Sequence, residues 1–135
     1  MVNIGGDFLD KGAMANKLIE LFPEKEDALT QHYQDYEELL GHIFFAEEIN
    51  VPLMEILRNN QDIETINKYC SFIMEMWKYG SADVVNIVDV TILERLSDED
   101  SVWFNFGKYI SDEFRLYINE VVLKENILMT SVPEL

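Results

Sequence analysis

The chain has one cysteine, Cys70, so it can form no internal disulfide and no multi-cysteine zinc site. Cys70 falls at an apolar helical position, which marks it as a buried, inert thiol rather than a nucleophile. Turn formers are few, three prolines and six glycines in 135 residues, and a many-stranded β fold needs more of them. No run approaches the roughly 18 consecutive apolar residues of a membrane span. The opening stretch, MVNIGGDFLDKG, lacks the basic start and apolar core of a signal peptide. A cytoplasmic location is the expectation.

Basic residues are scarce: 10 Lys and Arg stand against 26 Asp and Glu, for a net charge of −16. A nucleic-acid-binding surface needs cations to displace counterions from phosphates, and anionic lipid headgroups repel the same field. Neither nucleic acid nor membrane is therefore an expected partner. A basic protein is, and the field would speed its encounter. The same acidity also serves to keep a small domain soluble.

Catalytic signatures are missing as well. No serine or cysteine lies in a Gly-x-Ser-x-Gly elbow. Gly5–Gly6 lacks the third glycine and the Lys-Ser/Thr of a phosphate loop. No reaction and no cofactor is expected.

What is present is helical pattern. Hydrophobic residues make up 48% of the chain, enough for one core. The expectation is a single all-α domain over residues 1–135, with residues 1–10 and 126–135 loosely held. About six helices are expected, as an irregular bundle or a short stack of helix pairs. Met14, Leu18, Leu21 and Phe22 share a helical face, and Pro23 opens the next segment. Leu29, Tyr33, Tyr36, Leu40 and Ile43 form one stripe, with Gly41 as a bend or stop. Pro52 predicts a break or kink near Asn50–Pro52. Ile63, Ile66, Cys70, Ile73 and Trp77 make the clearest helix, capped by Asp62 and ended by Gly80 at the C′ position. The stretch SADVVNIVDVTILERL is rich in strand formers. Its polar residues do not alternate, however, and Val85, Val88, Ile92 and Leu96 keep helical spacing, so a buried helix capped by Ser81 is predicted. Ser97 with Asp100 fits a capping box. It opens a last helix carrying Trp103, Phe106, Ile110, Phe114, Tyr117 and Val121, an aromatic stripe that reads as core rather than a cofactor box. The tail ILMTSVPEL closes the chain, and its Ile127, Leu128 and Met129 are candidates for docking back.

Charge is unevenly placed. Between Glu24 and Leu57 there are nine acids and one lysine, half of the net charge in a quarter of the chain. Within it, QDYEELLGHIFFAEEIN (Gln34–Asn50) holds five carboxylates and no Lys or Arg. His32, Asp35, Glu38 and His42 carry metal-ligating groups. Stepped at helical angles, Asp35, Glu38 and His42 point away from the apolar stripe, and neither Glu-x-x-His nor His-x-x-x-His occurs, so no metal is expected. An apolar centre of Phe44 and Phe45 with an acidic rim would have the anatomy of a protein interface. The bland alternative buries both phenylalanines and leaves the acids solvated. The candidate partner-binding residues are Glu37, Glu38, His42, Glu47 and Glu48, with Asp98, Glu99 and Asp100 as a second patch.

The runs LFPE (Leu21–Glu24), LLGHIFF (Leu39–Phe45) and VVNIVDVTILERL (Val84–Leu96) resemble a family of short bacterial proteins of unassigned function, over residues 18–120. Gly41 stands where that pattern has proline. The resemblance implies a helical fold and transfers no catalytic residue. In size and charge the chain is also similar to the immunity proteins of bacterial toxin–immunity pairs. That likeness implies a non-catalytic inhibitor neutralising a cationic toxin domain through an acidic surface. A helical adaptor or self-associating module is the alternative, and a carboxylate metalloenzyme a third.

Overall fold

In the computed structural model, which describes residues 8–123 and Val132, Asp10 accepts the Ala13 amide at 2.8 Å and starts α1, Lys11–Leu21. Its buried face is Met14, Ala15 and Leu18. Pro23 then sits at the first position of α2, where its missing amide costs nothing. This helix opens with a tight turn, Pro23–Lys25, and continues as Glu26–Tyr36. Helix α3 spans 41–59, α4 Ile63–Tyr79, α5 82–97, α6 100–109 and α7 112–122. The seven make one all-α domain with no strand among the described residues. The long α4 is central: it buries Ile66, Tyr69, Cys70, Phe72, Ile73 and Met76, and α1, α3, α5 and α6 pack on it.

Three helices contain a widened π turn, Ala46–Asn50 in α3, Val88–Leu93 in α5 and Ile118–Val122 in α7. The apolar spacing accounts for them. Phe45, Ile49, Leu53 and Leu57 step by four, as do Val84, Val88, Ile92 and Leu96, and Phe114, Ile118 and Val122, and all are buried. Four residues overshoot a 3.6-residue turn by about 40°, so three steps drift the stripe off its face. A turn that takes an extra residue resets the phase and keeps every member inside.

The same device explains Pro52. Of the break or kink expected near Asn50–Pro52, no break occurs: α3 passes through the proline, with a widened turn ending just before it. The Val51 amide reaches back five residues to the Ala46 carbonyl, so the widened turn lies directly where the proline ring would otherwise crowd the helix. In the core, the π turns of α3 and α5 lie against each other, and Asn50 Nδ2 donates to the Ile92 carbonyl at 3.0 Å.

Other expectations are corrected. The stripe Leu29–Ile43 is not one helix, because α2 stops at Tyr36 with Glu37 left-handed (φ 64°). Tyr33, Tyr36 and Ile43 are exposed, and α2 buries only His32. Gly41 begins α3 instead of ending a helix. Gly80 is extended (φ −80°, ψ 155°) rather than left-handed. It is needed for close approach, since a Cβ there would strike the Met76 carbonyl and the Val84 side chain. Ser81 occupies the N-cap position of α5, but its hydroxyl makes no cap bond and is buried without a partner. Ser97 closes α5 by donating to the Glu94 carbonyl at 2.7 Å, so the predicted capping box is absent. The predicted last helix is two, split at Ile110–Ser111, where Ser111 Oγ accepts the Phe114 amide at 3.1 Å. Val121 is exposed, while Ile118 and Val122 are buried in its place.

Residues 1–7, Ile127, Leu128 and Met129 lie outside the described residues. Leu9 is tied to the end of α4 by its amide to the Tyr79 carbonyl and its carbonyl to the Ser81 amide. Val132 is buried and exchanges hydrogen bonds with the Asn119 side chain.

Candidate functional site

The turn between α2 and α3 is where the acids gather, and His32 builds it. Its ring is 4% exposed and lies against Tyr36 and Phe44. Nε2 accepts the Leu40 amide at 3.0 Å, satisfying a donor at the start of α3 that no backbone carbonyl reaches. Leu39 is buried beneath the turn. Glu37 and Glu38 are thereby pushed outward and are exposed.

Phe44 and Phe45 are fully buried, packed edge to face, so they supply no apolar centre to an interface. Apolar surface on this side comes instead from Tyr33 and Tyr36, each 43% exposed, and from Ile43. A cleft of about 210 Å³ opens beside them, lined by Gln31, His32, Asp35, Tyr36, Glu47 and Glu48 among others. Asp35 accepts Gln31 Nε2 at 2.9 Å. Glu48 pairs with Lys25 at 3.4 Å, both side chains largely sheltered, and the Lys25 ammonium also lies over the Phe22 and Tyr69 rings. Burial pushes the Tyr69 phenol up, against the pull of Lys25. Asp35, Glu37, Glu38 and Glu47 have no ion-pair partner among the described residues.

His42 lies elsewhere. Its Nδ1 is 2.5 Å from Thr91 Oγ1 and its Nε2 is 3.5 Å from Asn86 Nδ2, so it faces α5 rather than the cleft. It borders a separate hollow of about 250 Å³ with Lys11, Asp83 and Asn86.

The second patch divides. Arg58, at the end of α3, grips Glu99 with Nε at 2.8 Å and Nη2 at 2.6 Å. That hydrogen bond holds the Glu99 carboxyl below the usual carboxylate range and raises Arg58. Glu99 thus fastens α3 to α6, alongside Asn105, which donates to the Leu57 carbonyl at 2.7 Å. Asp98 and Asp100 remain exposed.

Of the residues lining the cleft, sequence reasoning named only Glu47 and Glu48 as partner-binding. Tyr36 was assigned to the core, and His32 and Asp35 were weighed only as metal ligands. The available signal was the lone histidine set among tyrosines one helix before a run of acids. Among the described residues no group of three or more His, Cys, Asp or Glu is placed to hold a metal ion. Cys70 is sealed, and burial pushes its thiol up. No helix of the described residues is long and apolar enough to cross a membrane.

The sequence matches a domain of unknown function (DUF7674) over residues 15–124. The chain belongs to that family. The DUF7674 match takes in the cleft, both acidic patches and all three π turns, and covers the 18–120 region over which the sequence resembles a family of unassigned function. No curated protein and no solved structure matches the chain.

Proposed function

We propose that this domain is a non-catalytic protein-binding module. It captures a basic protein through the acidic, tyrosine-bearing face at the α2–α3 turn, in the manner of an immunity-type inhibitor that neutralises a cationic toxin domain. One observation carries this reading: Asp35, Glu37, Glu38 and Glu47 are unpaired among the described residues while Tyr33, Tyr36 and Ile43 stand exposed beside them. Unpaired like charges repel and oppose folding. A cationic partner turns that cost into attraction, with the charges setting association rate and selectivity. Tyrosines supply rigid contact area of the sort that dominates binding energy.

The test uses two immobilised baits, the full chain and its Glu37→Lys/Glu38→Lys/Glu47→Lys variant, against extract of the source cells. A basic protein retained by the first and lost from the second supports the reading. Its association rate should fall steeply with salt. Equal retention by both baits would favour an adaptor or self-associating module and remove this face.

A further inference from the structure

The hydrogen bond that closes the α2–α3 turn sets a condition on the histidine that accepts it. We infer that His32 makes this turn a pH-sensitive latch. With the imidazole neutral the turn is closed and Glu37 and Glu38 are held in place; a second proton on the ring opens it. The latch goes beyond the proposed function and needs no partner to operate.

The condition follows from which atom is engaged. Nε2 accepts the Leu40 amide at 3.0 Å, so it carries no proton of its own, and the neutral ring holds its one proton on Nδ1. A second proton has only Nε2 to go to. There it meets the Leu40 N–H donor to donor, so protonation and the closed turn exclude each other. The closed turn therefore binds one proton fewer than the open one, and a fall in pH favours opening. Leu40 is the N-cap residue of α3 and brings no capping side chain, so the imidazole is what holds this end of the helix. Histidine is the side chain that changes charge between about pH 5 and 8, a range in which ordinary carboxylates stay largely ionised.

The groups around the ring decide where it goes once released. From α2, Asp35 lies one turn on from His32, and the Tyr33 and Tyr36 rings lie beside it. From α3, Glu47 and Glu48 line the same cleft as the ring. Lys25, in the turn that opens α2, is held by Glu48 at 3.4 Å. None of these carboxylates is ion-paired with the ring in the closed turn. An imidazolium freed from Leu40 is able to turn toward Asp35 or Glu47, a contact that the neutral ring has no charge to make. The acids thus favour the open, protonated form over the closed one, and such a difference between two states is what a switch requires.

The test follows the full chain by NMR from about pH 8 to about pH 5. The His32 ring signal and the amide shifts of Glu37, Glu38 and Leu40 should move with one midpoint. Hydrogen exchange at the Leu40 amide, corrected for its intrinsic pH dependence, should quicken by about tenfold per pH unit through that transition, the dependence of one linked proton. His32→Gln, which sets a neutral amide oxygen near the place of Nε2, should keep the Leu40 amide protected throughout. His42→Gln should leave the transition as it is, because His42 faces Thr91 on α5. A His32 ring that stays neutral to the acid end, or a Leu40 amide that does not move while the ring titrates, would overturn the inference. So would a transition that persists in His32→Gln or follows the His42 ring instead. If His32→Gln does not fold, the natural chain decides alone: the midpoints of Leu40 and of the His32 ring coincide, or the latch is absent.

Discussion

The imidazole of His32 accepts the backbone amide of Leu40 at 3.0 Å, so a side chain of one helix closes the turn that begins the next. The acidic face depends on this bond, because it sets where Glu37 and Glu38 emerge. His32→Phe keeps an aromatic ring against Tyr36 and Phe44 and removes the Nε2 acceptor, along with the Nδ1–H. It should cost about 1–3 kcal/mol in urea unfolding, the range for stranding a sheltered donor. A loss within error of zero would mean that water replaces the imidazole and that the ring does not define the turn.

Asn50 holds the two π turns of α3 and α5 together from a position only 2% exposed. Its Nδ2 donates to Ile92, and its Oδ1 is sealed in without a partner. Asn50→Asp places a carboxylate against a carbonyl in the core and should cost more than about 3 kcal/mol at neutral pH. Asn50→Ala loses the hydrogen bond and leaves a small cavity, and should cost less, about 1–3 kcal/mol. Thermal or urea unfolding of the pair gives the order. Equal losses would mean that the carboxylate meets no extra burial penalty, so that the contact is not sealed from water.

These two residues also mark how far the sequence could be read. The all-α class followed from the lack of turn formers and from stripes such as Ile66, Cys70 and Ile73, whose spacing is unambiguous and whose burial the structure gives as complete. The strict four-residue steps from Phe45 to Leu57 and from Val84 to Leu96 were equally visible, but helical regularity absorbed them without asking what a 3.6-residue turn does with such a run. Serines at 81 and 97 looked like caps because composition gives a serine its propensity and not its neighbours: Ser97 turned back to its own helix. The acidic face was legible as charge. Its geometry was not, since the α2–α3 turn is made by a histidine accepting a hydrogen bond across eight residues, and no periodicity encodes that.

The Arg58–Glu99 pair gives the fold an acid-side dependence of known sign. The folded-state pKa of Glu99 lies below its usual value, chiefly through the Arg58 hydrogen bond. Such a group stabilises the fold above its unfolded pKa, about 4.3, and that contribution is lost as pH falls through the lower folded value. Glu99→Gln should therefore melt below the natural chain at pH 7, with the gap closing under acid. Melting temperatures of the two proteins from pH 7 to pH 2 measure it. A gap that persists unchanged at the acid end would assign the difference to packing rather than to the ion pair.

Glu37 sits where glycine would be easier. It ends α2 at φ 64°, a conformation that costs a residue with a Cβ roughly 1 kcal/mol relative to glycine. It adds a charge beside Glu38 with no cation among the described residues paired to it. Both terms favour replacement on grounds of stability alone, and strain of this kind gathers where a surface is used. Glu37→Gly should raise stability by about 0.5–1 kcal/mol in urea unfolding, net of the freedom glycine adds to the unfolded chain. The same change should slow association with the basic protein captured by the acidic face, by removing one of the charges that steer it. Stability and binding would then move in opposite directions at one residue. A variant that gains stability and binds at the unaltered rate would leave Glu37 as a strained helix end and nothing more.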